Sequence, residues 1–385
     1  MLNYRFRIKD CNTEQLDELL ITVNCIWNYA LMLQRKHYEW HGKYIPCAKL
    51  CSFIAKKRKK NPYWMRLNSQ SVQGIVQSLD ESYQRFFNGI QKRPPKFKNR
   101  YQDTSIRFTQ SGYSIDNDVF NFNKIGSFRF FKHRAYPIDK VKQARLKRYN
   151  NRYYVIITCD CSPKLLARNC KGEAGIDFGL KTFITLDNGV TIESPRFLFK
   201  NFKKLRKLSK VVSRRKKGSK RRKKAVKKLA RFHERIVNQR NDWQWKLAHQ
   251  LCKNYSEIHI EDLELRGWAK LWGRKASDLA LGKFIEKLEF VAAKYGTMIV
   301  KVDRFYPSSH ICSICGKKLD RKLGLNERSW QCSCGAYHDR DINAAKNIKQ
   351  WDATVHSETR KKQRSKTTLC KEYGSVGMRI RSPRF

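Results

Sequence analysis

Acidic side chains are scarce in this chain of 385 residues: 33 Asp and Glu stand against 83 Lys and Arg, a formal net charge of +50. Self-repulsion on that scale in a compact state calls for a polyanionic partner, and counterion release from nucleic-acid phosphates is the expected driving term. Ribosomal proteins, histones and polybasic membrane binders share such a charge, so charge alone does not name a function. Long apolar runs are missing too. No stretch approaches the roughly 20 residues of a membrane span, and Met1-Leu2-Asn3-Tyr4-Arg5-Phe6 has no apolar core of the secretory-leader kind. A reducing, cytoplasmic setting without a membrane partner is therefore expected. The 13 cysteines, an odd number, then read as metal ligands or packing residues rather than disulfides. What remains is ordinary for a globular protein of two or three domains: 41% hydrophobic and 12% aromatic residues.

The most informative stretch runs from Cys312 to Ile348. Cys312 and Cys315 form a Cys-x-x-Cys pair, Cys332 and Cys334 a Cys-x-Cys pair, and each pair is followed by a glycine, Gly316 or Gly335. Two such pairs suit one tetrahedral zinc ion, the glycines letting the backbone turn so that both sulfurs of a pair face it. Cys47/Cys51 and Cys159/Cys161 lack flanking glycines and are expected to pack in the interior.

Patterning divides the chain. Residues 1–9 alternate as a strand, and apolar spacing predicts helices over about 13–38 and 68–90, the second ended by Pro94-Pro95. Residues 104–162 read as short antiparallel strands, a β domain that also takes in the first strand and holds the helices as an insertion. Composition shifts near Lys171. Beyond it, two strands are expected around Asp187-Asn188-Gly189. A basic segment over 203–251 should be split by Gly218-Ser219, and a strand at 256–260, a helix at 279–295 and a strand at 297–303 follow. The basic tail after Trp351 is expected to be largely disordered.

Three carboxylates stand at matched places in distant segments. Asp177 lies in a strand between apolar neighbours, Glu261 ends a later strand, and Asp341 opens the helix beyond the cysteines. The plainer alternative makes them a turn residue, a strand-end polar residue and an N-cap. Joined at one point, they would instead hold two divalent cations for phosphodiester hydrolysis, since hard Mg²⁺ favours oxygen ligands. Such a site is of the RNase H type. Asp339, two residues before Asp341, competes for the third place.

These residues resemble the motifs of TnpB, the transposon-encoded RNA-guided nucleases ancestral to type V CRISPR effectors. Gly-Ile-Asp177-Phe-Gly-Leu-Lys is similar to the first RuvC motif of that family, Ile-Glu261-Asp-Leu to the second, and Asp341-Ile-Asn343-Ala-Ala-Lys-Asn-Ile348 to the third. Ser213–Ser219, His233–Arg240 and Tyr306-Pro-Ser-Ser309 also resemble the family, and Trp27-Asn28-Tyr29, Phe86-Phe87 and Pro95-Lys-Phe97 resemble it more loosely. Cys332-Ser-Cys334 departs from the more familiar Cys-x-x-Cys.

The resemblance implies a multidomain α/β protein. A β-barrel-like wedge domain would cover 1–10 and 93–170, with a helical recognition domain inserted at 11–92. An RNase H-like (RuvC) nuclease domain would cover 171–310 and 336–352, a zinc knuckle 311–335, and the basic tail 353–385. It makes Asp177, Glu261 and Asp341 the catalytic acids, holding two Mg²⁺ (or Mn²⁺), and Cys312, Cys315, Cys332 and Cys334 the ligands of one structural Zn²⁺. It implies a prokaryotic, nucleoid-associated monomer carrying a non-coding guide RNA, and a double-stranded DNA target with a short adjacent motif. Lys203, Lys204, Arg206, Lys207, Arg214, Arg215, Lys216, Lys217 and Lys220 are expected to line the nucleic-acid channel. Gln70 and Gln73, on nearly one helix face, are candidates for reading the motif. A nuclease-inactive RNA-guided regulator, a DNA-strand transferase and a compact CRISPR effector are the alternatives; retention of all three acids disfavours the first of these, and the lack of a Tyr or His-rich strand-transfer motif disfavours the second.

Overall fold

The structure is a computed structural model that describes residues 1–9, 13–99, 105–109, 112–150, 152–162, 165–167, 172–321, 323–324 and 327–351. The tail expected at 353–385, and the composition shift near Lys171, lie outside the described residues. The chain forms two compact units, Met1–Pro163 and a second beginning at Lys164.

In the first unit, β1 (Leu2–Arg7) is followed by α1 (Thr13–His41), α2 (Cys47–Lys59), α3 (Pro62–Met65) and α4 (Ser69–Phe87). Strands β2 (Ser105–Thr109), β3 (Tyr113–Asp116), β4 (Val119–Phe122), β5 (Gly126–Arg129), β6 (Val141–Tyr149) and β7 (Arg152–Cys159) come next. The N-terminal strand does join the later ones: β1 pairs antiparallel with β7 in a sheet ordered β1-β7-β6-β2, beside a β3-β4-β5 meander. Asn68 caps α4 by accepting a hydrogen bond from the Ser71 amide, so that helix starts where the side-chain oxygen can satisfy a free N–H. One hydrophobic core runs through these strands and helices, with Phe6, Leu16, Ile26, Phe108 and Phe130 fully buried. Cys47, Cys51, Cys159 and Cys161 all pack into or against it, as their lack of turn glycines suggested.

The second unit is built on a five-stranded mixed sheet of β8 (Gly172–Asp177), β9 (Thr182–Leu186), β10 (Thr191–Glu193), β11 (Tyr255–Glu261) and β12 (Met298–Val302). Its order is β10-β9-β8-β11-β12; β8, β11 and β12 run parallel, and the β8–β9–β10 pairs are antiparallel. The segment before Asp187 is two strands rather than one. Gly179 turns so tightly that a Cβ there would lie 2.6 Å from the Thr182 carbonyl oxygen, and the chain doubles back before the expected Asp-Asn-Gly hairpin.

Helices α5 (Phe197–Lys200), α6 (Phe202–Ser213), α7 (Lys220–Asn254), α8 (Leu265–Leu279), α9 (Leu281–Tyr295) and α10 (Arg340–Lys349) complete the unit, with a small hairpin of β13 (Ser329–Gln331) and β14 (Tyr337–Asp339) before α10. The break at Gly218-Ser219 separates α6 from α7 as read from sequence, and Ser219 caps α7 through the Arg222 amide. The core between sheet and helices includes Ile176, Phe183, Leu247, Ile258, Phe284 and Leu288. The short helices α2, α3, α5 and α8 were not legible from apolar spacing.

Candidate functional site

Parallel pairing sets the first two acids side by side. Ile176 on β8 is registered with Ile260 on β11, so Asp177 and Glu261 follow together at the C-terminal ends of neighbouring strands. Loops leave a parallel sheet at that edge, and groups placed there share one crevice. The third acid arrives on α10, which packs against β8, β9 and β11. Gly175 permits this approach: a Cβ at that position would stand 2.0 Å from the Ala345 carbonyl oxygen. Asp187 fastens the same contact, accepting from the Gly175 amide at 3.1 Å and pairing with Lys349 Nζ at 2.9 Å. All three acids then line one cavity of about 1210 Å³.

The structure separates each acid from its acidic neighbour. Asp339 is the N-cap of α10, accepting from the Asp341 and Ile342 amides at 3.0 Å, while Asp341 sits in the first turn and lines the cavity. Asp262 is taken by Arg304, at 2.7 Å, leaving Glu261 for the cavity. Both cap bonds go to Asp339 Oδ1, as an N-cap side chain makes them, and of the two carboxylates it is Asp341 that lines the cavity.

Like charges meet here at a cost. Asp177 lies half-buried at the end of its strand. Loss of solvent first, and then the carboxylates of Glu261 and Asp341, raise its pKa well above the ordinary carboxylate value; Arg340 and Arg328 oppose the shift. Burial also raises Glu261, against the Ser308 hydroxyl that donates to it at 2.5 Å. Arg328, ahead of β13, pairs with Asp341 at 3.0 Å. Three carboxylates crowded at one point, only partly balanced by Arg328 and Arg340, are the kind of hard oxygen donor set that divalent cations such as Mg²⁺ take.

The four cysteines come together as expected. Their sulfurs lie within 4.8 Å of one another, with Cys312–Cys334 at 3.8 Å and Cys315–Cys332 at 3.6 Å. Tetrahedral Zn–S bonds of about 2.3 Å require sulfurs about 3.8 Å apart, so the cluster fits zinc. Gly316 and Gly335 have φ of 71° and 88°, and their amides donate to the Cys312 and Cys332 carbonyls at 2.9 Å. The shorter Cys-x-Cys pair therefore closes a turn of its own. His338, across from Trp330 on the hairpin, also approaches Cys312, its Nε2 lying 3.0 Å from Sγ.

Two asparagines that sequence reading left without a role tie these parts together. Asn343 Nδ2 donates to the Ile311 carbonyl at 2.7 Å while its Oδ1 accepts from the Ser313 amide at 2.9 Å. Asn347 Nδ2 donates at 2.7 Å to the Ser308 and Ile311 carbonyls. One face of α10 thus holds the loop that carries both Ser308, the partner of Glu261, and Cys312. Their spacing of four residues on the helix bearing Asp341 was the available signal.

The residues expected to contact nucleic acid lie on other elements. Lys203, Lys204, Arg206, Lys207, Arg214, Arg215, Lys216, Lys217 and Lys220 are all exposed on α6, at its end and at the start of α7. No acidic residue falls between Glu193 and Glu234 to neutralise them. On α4, Gln73 is exposed, whereas Gln70 is half-buried and accepts from Thr109 Oγ1 at 3.5 Å.

Comparison with known proteins is consistent with this geometry. The OrfB_IS605 family model, described as a probable transposase, matches residues 159–271, and the TNB domain of the Cas12f1-like family matches 282–348. A curated relative from Streptomyces pristinaespiralis, named as an RNA-guided DNA endonuclease, is 30% identical over 357 residues, covering 90% of this chain and 87% of its own length. The similarly named InsQ of Escherichia coli (strain K12) is 26% identical over 371 residues, covering 90% of each. Among solved structures, the Cas12f1–sgRNA–target DNA complex matches with a TM-score of 0.58 at 15% identity, over 88% of this chain and 82% of that one.

Proposed function

Because the chain belongs to the OrfB/TnpB family, whose curated relatives are named RNA-guided DNA endonucleases, we propose that it is an RNA-guided endonuclease cutting double-stranded DNA at Asp177, Glu261 and Asp341. The observation that carries this reading is the convergence of those carboxylates, from two strand ends and one helix start, on a single cavity. Two divalent cations, Mg²⁺ or Mn²⁺, held by these acids would activate water and neutralise the leaving oxygen.

The chain's own residues do the positioning. The strand backbone fixes Asp177, Ser308 orients Glu261, and the Asp339 cap sets the first turn from which Asp341 projects. Arg328 and Arg340 line the same cavity and temper the acids' charge. Cys312, Cys315, Cys332 and Cys334 would hold one structural zinc in the knuckle. Within this reading, residues 1–10 and 93–170 form the wedge domain, 11–92 the recognition helices, and 171–310 with 336–352 the RuvC-like domain. A non-coding RNA supplies sequence recognition by pairing, and the exposed cations of α6 and its flanks hold phosphates without reading bases. Gln73, exposed on α4, is the better placed of the two glutamines to meet the motif beside the target.

The test is to purify the full chain, sequence the RNA that accompanies it, and offer plasmids complementary to that RNA's variable end in Mg²⁺. Cutting by the wild type, lowered on the order of a thousandfold or more in Asp177→Ala with RNA retained, is expected. Absence of a defined RNA, or unchanged cutting in the variant, would overturn the proposal.

A further inference from the structure

Beside the acids, the same cavity has an aromatic wall that the positioning of the carboxylates does not use. Phe199 is 75% exposed, Phe202 37% and Leu271 74%. Trp268 and Trp272, one turn apart on α8, meet edge to face with centroids 5.3 Å apart, and both line the cavity. The Arg274 guanidinium lies 5.2 Å from the centre of the Phe202 ring. Apolar rings left open to water at the mouth of a site are costly unless a ligand covers them.

The wall is also held firmly from behind. The carboxylate of buried Asp278 accepts from the Leu198 and Phe199 amides at 2.9 and 3.1 Å, fixing the short helix that carries Phe199 to the end of α8. Arg240 Nη1 donates to the Ser277 carbonyl at 2.8 Å, and Gln244, fully buried, donates to the Leu279 carbonyl at 3.0 Å. Lys287 in turn donates to Gln244 at 2.8 Å. This buried polar network fixes where the rings stand. Between Trp272 and Arg274 the helix breaks at Gly273, whose φ of 37° suits glycine.

We propose that Phe199, Phe202, Trp268 and Trp272 form a nucleobase-stacking subsite that receives unpaired nucleotides of the DNA strand being cut and sets its phosphate over the acids. This deepens, and rests on, the nuclease reading above. Rings alone would suit many apolar partners, but the cations lining this wall, Lys181, Arg196, Arg274 and Lys275, demand an anionic one. A single strand offers π-faces and phosphates in alternation, which a duplex does not, because its bases are already stacked on one another. The subsite thus selects the unpaired state of the strand.

The test separates base stacking from charge. Full-chain Asp177→Asn protein, with its RNA, is titrated with a thymidine oligonucleotide and with an abasic oligonucleotide of equal length, the two having identical phosphates. The thymidine strand should bind roughly tenfold tighter, the order expected for one or two stacked bases. In a Phe199→Ala/Trp272→Ala background that ratio should fall to about one, while Trp272→Phe restores it. Both substituted residues stand outside the buried core, and a matched melting temperature verifies folding. An unchanged ratio in the double variant, or no preference for bases in the parent protein, would overturn the subsite. Failure of the nuclease reading shows separately, as cleavage by Asp177→Ala at the wild-type rate, because the oligonucleotide ratio requires no cutting.

Discussion

Asp177 is the residue at which the crowding of negative charge in the cavity is felt most. Its pKa is raised by burial and by two facing carboxylates, so the folded protein without metal holds a proton that the unfolded chain releases in the ordinary carboxylate range. With more protons bound in the folded than in the unfolded state, stability falls as pH rises. That contribution is intact below the unfolded value, 3.8, and is lost progressively above it, toward the raised folded pKa. Metal-free protein should therefore melt at lower temperature as pH rises from about 4 toward the raised folded pKa. Asp177→Asn should flatten this slope, and the stabilisation by Mg²⁺ expected of the wild type should be lost in the variant. Scanning fluorimetry across pH, with and without Mg²⁺, reads both effects; a slope unchanged by the substitution would contradict the charge crowding. The identity of this acid was legible in sequence, since a carboxylate between strand neighbours needs a reason. Between the two neighbouring acids, the structure makes Asp339 the helix N-cap and lets Asp341 line the cavity, which favours Asp341.

At the scale of elements, α10 is the part on which the site depends. It carries Asp341, holds the loop of Ser308 and Cys312 through Asn343 and Asn347, and lies against β8 where only a glycine fits. Gly175→Ala should push α10 off the sheet and destabilise the protein by about 1–3 kcal/mol or more. It should also reduce cleavage sharply although every acid is still present, measured as a lower melting temperature and a lower single-turnover rate. The knuckle is a second dependent element. Among the described residues its own core is Cys312, Leu323, Trp330 and Cys332, with Leu319 and Ala336 packed against them, too small to fold on burial alone. Cys312→Ser should lower zinc content by elemental analysis and raise amide exchange over residues 311–339, and cutting should fall with it because Ser313 and Arg328 lose their register on α10. Zinc content equal to wild type would remove the knuckle assignment. The glycine after each cysteine pair made this element readable in sequence. Helix α8, broken at Gly273 and exposing Leu271 toward the cavity, gave no clean apolar period and escaped that reading.

At the scale of the whole molecule the net charge is +50, and the stretch from Glu193 to Glu234 holds many of its cations with no acid between them. The exposed cations of α6 and the turn into α7 have no acid nearby in sequence, and each phosphate contact they make releases counterions. Replacing Arg214, Arg215, Lys216 and Lys217 by glutamine should reduce the slope of log affinity for the RNA against log salt by about 3 if all four touch phosphate. Filter-binding isotherms over a range of salt measure that slope, and an unchanged value would show these residues to be a solvated surface only.

Sequence alone determined the partner class, the clustering of the four cysteines and much of the alternation of strands and helices, and it singled out three acids that the fold brings to one cavity. Those follow from composition, from short-range spacing and from periodicity, which are local properties of the chain. Only the tertiary structure decided that Asp177 and Glu261 stand on adjacent strand ends, that Asp262 goes to Arg304, that two asparagines join the loop of Ser308 and Cys312 to the helix of Asp341, and that aromatic rings wall the cavity. Each of these depends on residues tens of positions apart meeting through sheet register and helix docking. Such contacts are set by which faces can approach closely, as at Gly175, and leave little trace in the pattern of any single segment.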